Sequence, residues 1–139
     1  MVVGFAGTRQ GMTLEQQRAL RTLLTIYNGG VLHHGDAVGA DAQAHEMAIE
    51  LGYIIVIHPP LLTEERAFKT AACVREPAPY LLRNKAIVRE TEVLIAAPEG
   101  AETIRSGTWS TVRFARRVKR PIRVVLPDGE VWDDDAEPD

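Results

Sequence analysis

The chain has 139 residues, 45% hydrophobic and 25% charged, which is the size and balance of one globular domain with a single core. No apolar run approaches the roughly 20 residues of a membrane span, and the lone Cys73 rules out an internal disulfide or a thiolate metal cluster. The net charge of −3 is unevenly placed: residues 128–139 hold seven of the 19 acidic groups and no basic one, which leaves 12 acids against 16 bases in the body, too small an excess to point to duplex DNA.

In chain order, Val2–Ala6 is an apolar run closed by Gly7 and reads as a buried strand. Thr13 then caps a helix, with Gln16 placed as its capping-box partner. Leu14, Leu20, Leu23, Leu24 and Tyr27 recur at helical spacing until Asn28-Gly29-Gly30 stops it. Val31–His34 is a second strand, 40–51 a second helix, and Tyr53–Ile57 a third strand, apolar throughout as in a sheet covered on both faces. His58-Pro59-Pro60 breaks the pattern. Residues 61–79 read as an irregular connection with one short helix over 64–71, in which Cys73 is expected as a buried small hydrophobe. A helix over 81–89, a strand over Val93–Ala97, a helix over 107–119 and a strand over Ile122–Leu126 complete the alternation. Pro127-Asp128-Gly129 is a turn that returns residues 130–132 as a short edge strand.

Strands alternating with helices predict an α/β fold: a Rossmann-like three-layer α/β/α domain over residues 1–127 with a mostly parallel five-stranded sheet. A short sixth edge strand and an acidic, mobile tail are expected over 128–139. The N-terminus has no basic segment ahead of an apolar stretch, so the expected location is cytoplasmic, with no membrane partner.

Ligands of such sheets sit past the carboxyl ends of the strands. Four segments fall there. Gly7-Thr8-Arg9 offers a tight turn, a hydroxyl and a guanidinium fork. Gly35 to Asp41 leads into a helix N-terminus with two glycines, Gly35 and Gly39, and two carboxylates, Asp36 and Asp41, which suit ribose hydroxyls, a helix cap or a bound cation better than a phosphate. Pro98 ends the fourth strand. Ser106-Gly107-Thr108 opens a helix whose unpaired amides favour an anion. Arg83 and Asn84, near a helix start, complete the set. Trp109 and Tyr80 are the aromatics nearest these corners, either stacking surfaces or core. His33 and His34 alternate across a strand and cannot share one site. His45, four residues after Asp41, has no third ligand in reach, and no metal or cofactor is expected. Arg113, Arg116, Arg117, Lys119 and Arg120 lie at the far end of their helix, a solvated face suited to its dipole.

The order of these motifs, "HGDAVGADAQAHEMA", "YLLRNKAIV", "VLIAAPEG" and "SGTWSTVRFA", resembles the nucleotide-binding superfamily of DNA-processing protein A and the Lonely Guy phosphoribohydrolases, in particular its small stand-alone bacterial and phage members. The resemblance implies a nucleotide or nucleotide-derived ligand, its phosphate at the helix beginning near Ser106, and a homodimer. It also implies an alternative, hydrolysis of the glycosidic bond of a nucleoside 5'-monophosphate. The position of that family's catalytic Glu is Thr111 here, and a hydroxyl cannot replace a carboxylate in such a step. A third reading, single-stranded nucleic-acid binding, is less favoured.

Overall fold

The computed structural model describes residues 1–134. Its elements are β1 (Val2–Gly7), α1 (Leu14–Tyr27), β2 (Val31–His34), α2 (Ala40–Glu50), β3 (Ile54–Ile57), β4 (Cys73–Val74), α3 (Tyr80–Arg89), β5 (Val93–Ala97), α4 (Gly107–Arg117), β6 (Ile122–Val125) and β7 (Val131–Asp133). The seven strands form one sheet in the order β4-β3-β2-β1-β5-β6-β7, parallel except for the β6–β7 pair.

The α/β architecture is therefore as expected, and the strand count is corrected from five or six to seven. The strand missed is β4, two residues that continue the sheet beyond β3 by pairing Val56 with Cys73 and Ile57 with Val74. Two residues carry too little pattern to be seen as a strand. Cys73 is half-buried there rather than in the core. The helix expected over 64–71 is also absent: Thr63–Glu65 makes a single 3-10 turn and the chain then extends. The short terminal strand pairs antiparallel to β6 as the edge of the sheet. The end of the acidic tail, residues 135–139, lies outside the described residues.

From β1 the chain winds outward through β2, β3 and β4, then crosses back to place β5 on the other side of β1. The strand order reverses between β1 and β5, and a crevice opens at such a switch point. Apolar side chains alternate to both faces. Phe5, Ile95 and Ile57 pack with Leu20 and Leu24 of α1 and Ala44 and Ala48 of α2. Leu94, Ala96 and Val124 pack with Val88 of α3 and Trp109 and Val112 of α4 on the other face. Trp109 is 1% exposed and donates its indole N–H to Gly100 O at 2.9 Å, so it belongs to the core and not to a stacking surface.

The capping box at Thr13 forms as the sequence suggests, each partner accepting from the other's amide at 3.0 Å. Such a cap contributes about 1 kcal/mol. Gln16 does more than cap: its buried amide also donates to Pro98 O at 2.8 Å and Val125 O at 2.9 Å. That ties the start of α1 to the ends of β5 and β6. No helix among the described residues is long and apolar enough to cross a membrane.

Candidate functional site

The corner after β1, the corner after β2, the start of α3 and the start of α4 meet around a cleft of about 580 Å³ at the carboxyl edge of the sheet. Of the residues selected from the sequence, Gly7, Thr8, Arg9, Gly35, Asp41, Arg83, Asn84, Ser106, Gly107 and Thr108 line it. Three do not. Asp36 is fully buried, and its carboxylate accepts from Arg66 Nε at 2.9 Å and from the Lys69 amide at 3.0 Å, so it anchors the 61–79 connection. Gly39, at φ 89°, sits against the backbone of Arg9, where any Cβ would collide with the Arg9 carbonyl, and the following amide of Ala40 donates to Thr8 O at 2.9 Å. Pro98 is held through its carbonyl by Gln16. These three position the corners instead of facing the cleft.

At the start of α4, Ser106 caps the helix by accepting from the Trp109 amide at 3.2 Å. The Ser110 amide reaches Ser106 O at 2.9 Å. The amides of Gly107 and Thr108 take no partner among the described residues and face the cleft's end. Gly107 has a reason that the sequence hid. A Cβ there would overlap the Tyr80 hydroxyl, so the missing side chain makes room for the protein's own phenol. Tyr80 thus stands over the helix start and forms one wall of the cleft beside Ser106 and Thr108.

The floor is polar and buried. Arg83 is 5% exposed and donates from one guanidinium nitrogen to Gly35 O at 2.5 Å and His58 O at 3.3 Å. The absence of a side chain at Gly35 admits that guanidinium. Asp41 Oδ2 accepts from the amides of Gly35 at 3.1 Å and Ala37 at 3.2 Å. Its Oδ1 is buried without a partner among the described residues, as is Arg83 Nε. Burial pushes the Asp41 carboxyl up to about 6, against the pull of Arg83 and of the two amides. A buried acceptor without a donor costs free energy that a ligand donor would recover.

Two further cations stand at the rim. Arg9 forms a two-pronged ion pair with Glu65 at 3.0 and 3.1 Å. Arg105 is exposed, lines the cleft, and makes no ion pair among the described residues. Sequence reading did not select Tyr80, Glu65 or Arg105 for the site. Arg105 directly precedes the Ser106 cap, which is a usable signal. Tyr80 was legible only as an aromatic near these corners, and Glu65 arrives from the irregular connection, where nothing local marks it.

The histidines form two buried pairs off the cleft. His34 accepts the Asp36 amide on Nδ1 at 2.8 Å, so its proton sits on Nε2 and points to His45 Nδ1 at 2.9 Å. Burial drives His34 down to about 3, and the neighbouring His45 adds to the effect. His45 is 2% exposed and packed in this pair. His33 lies on the opposite face with His58, as strand alternation requires. His58 does not line the cleft.

Neither a family model nor a curated protein matches the chain. Solved structures do. The chain is similar to the molybdenum cofactor binding protein from the phototrophic bacterium Rippkaea orientalis, with a TM-score of 0.70 and 20% identity over 90% of this chain and 76% of that one. It is also similar to the Moco Carrier Protein from Chlamydomonas reinhardtii, with a TM-score of 0.59 and 21% identity over 91% of this chain and 75% of that one. The likeness is one of fold. It corrects the family drawn from the motif order: the neighbours found are molybdenum cofactor proteins, not DNA-processing protein A or a Lonely Guy phosphoribohydrolase. Glycine-bearing strand corners mark the architecture that related folds share, so their order could not separate one family from another.

Proposed function

We propose that the chain binds a small phosphate-bearing molecule in the cleft, with the phosphate at the start of α4 and the organic part over the floor. The observation that carries this reading is the pair of amides at Gly107 and Thr108, without partners among the described residues, at the head of an 11-residue helix and beside the exposed Arg105. A helix start of this kind favours an anion by up to about 2 kcal/mol when partly buried. Tyr80 adds a hydroxyl at the same end. On the floor, Asp41 Oδ1 offers one acceptor to a ring N–H or a sugar hydroxyl.

Both a nucleotide and the molybdenum cofactor of the structural neighbours belong to this chemical class. The cleft suits the anionic and hydrogen-bonding parts of either. Cys73 stands on β4 and does not line the cleft, so no thiolate of this chain would hold a metal of the cargo. In this reading the protein holds its ligand without cleaving it. Thr111 donates its hydroxyl to Gly107 O at 3.1 Å within the helix, and no role at a glycosidic bond is assigned to it.

Thermal shifts with inorganic phosphate, a panel of nucleoside monophosphates and the molybdenum cofactor test the reading. A ligand at a hundredfold excess over its Kd adds about 2.7 kcal/mol, a rise of several degrees for a domain of this size. Arg105→Ala should reduce the shift at unchanged stability, because the residue is exposed. Thr108→Glu should abolish it by placing a carboxylate at the helix start. The proposal is wrong if no phosphorylated compound raises the transition, or if Thr108→Glu leaves the rise unchanged.

A further inference from the structure

Apart from the residues that line the cleft, three potential metal ligands converge. His33 Nδ1 of β2 and His58 Nε2 past β3 lie 2.8 Å apart, their rings stacked at 5.1 Å between centroids. Glu90 Oε1, just past α3, is 3.9 Å from each of these nitrogens. His33 and His58 are 4% and 3% exposed, and the Glu90 carboxylate reaches the surface. None of the three lines the cleft, so the cluster is a separate site.

We propose that His33, His58 and Glu90 form a binding site for a divalent cation of the zinc class. Two neutral imidazoles facing each other can share only one proton between them, and a carboxylate pointed at both is the third member of a two-histidine, one-carboxylate set. A tetrahedral ion with bonds of about 2.0–2.1 Å holds its ligand atoms about 3.3–3.4 Å apart. The imidazole nitrogens would therefore part by about half an ångström, and the carboxylate would close by about as much. Both are side-chain rotations and need no backbone change. The set leaves one tetrahedral position for water or an exogenous ligand.

Glu90 is engaged in this structure by Arg75, whose guanidinium donates to Oε1 at 2.8 Å. Arg75 is about half exposed, so it can swing into water and yield its carboxylate to the cation. Arg75 thus acts as the competing counter-ion, and its removal should tighten the site. This assignment is independent of what fills the cleft.

Cobalt(II) is a suitable probe, because its visible absorption reports coordination number and ligand type. Titration of the full chain with Co(II), followed by displacement with Zn(II), should give one equivalent with a four-coordinate spectrum. His58→Gln and Glu90→Gln should each weaken binding at least tenfold, about the lower end of what losing even an outer-shell partner costs. Arg75→Ala should strengthen it. His45→Gln, which changes the other pair, should leave it unaltered. Circular dichroism confirms that each variant folds. A titration with no saturable absorption, binding that survives His58→Gln but disappears in His45→Gln, or weaker binding in Arg75→Ala would each overturn the proposal and leave the pair as a hydrogen bond only.

Discussion

Replacing His34 by Asn should flatten the chain's response to acid. His34 is fully buried, and its imidazole is held down from 6.5 to about 3. The unfolded chain therefore binds a proton that the folded chain refuses, and stability is lost as pH falls from 6.5 toward 3. At about 1.36 kcal/mol per pH unit, the full loss is about 5 kcal/mol, and the part between pH 7 and pH 5 is about 2 kcal/mol. Asp41 works in the opposite sense. Its carboxyl is pushed up to about 6, so the folded state binds the proton more tightly, and falling pH stabilises it by about 1 kcal/mol over the same interval. The wild-type curve alone is therefore a muted sum. The difference between wild type and variant isolates His34. Asn keeps an acceptor for the Asp36 amide while removing the titrating ring. Urea unfolding at pH 7, 6 and 5 gives the free energies. The wild type's advantage over His34→Asn should shrink by about 2 kcal/mol across that range. Parallel decline of the two proteins would refute the assignment of a buried neutral imidazole at this position.

Gly107→Ala should destabilise the fold because the new methyl meets the Tyr80 hydroxyl. In a Tyr80→Leu background the same change should be neutral or favourable, since Ala exceeds Gly in a helix by up to about 1 kcal/mol. A double-mutant cycle in chemical denaturation should show a coupling of about 1–3 kcal/mol, and additive costs would contradict the packing described. Glu65→Gln should release Arg9 and tighten phosphate-ligand binding several-fold by calorimetry. Stability should change by less than about 1 kcal/mol, because the pair stands at the solvent-accessible rim, with Arg9 half exposed. Unchanged affinity would show that Arg9 plays no part in binding. Trp109→Ala should cost about 3–5 kcal/mol in urea unfolding, the range for a buried aromatic that leaves a cavity.

Periodicity was enough to reveal the alternating strands and helices, because each long element must bury one face and repeats accordingly. The Thr13–Gln16 box and the Ser106 cap were legible for a similar reason: their partners lie three residues apart. The carboxyl-edge corners were legible as a set, since a parallel sheet brings the ends of its strands together wherever they lie in the chain. What the glycines do there was not. Gly35 and Gly107 make room for Arg83 and Tyr80, and Gly39 for the backbone of Arg9, contacts between segments far apart in sequence. The turn of Asp36 away from the cleft depends on Arg66 and Lys69 in a connection with no periodic signal. The pairing of His33 with His58, and the arrival of Glu90 beside them, needed the register of β2 against β3 and the position of the end of α3. Local order follows from neighbours a few residues away. Sites are assembled by long-range packing, and only the folded chain decides which distant side chains meet.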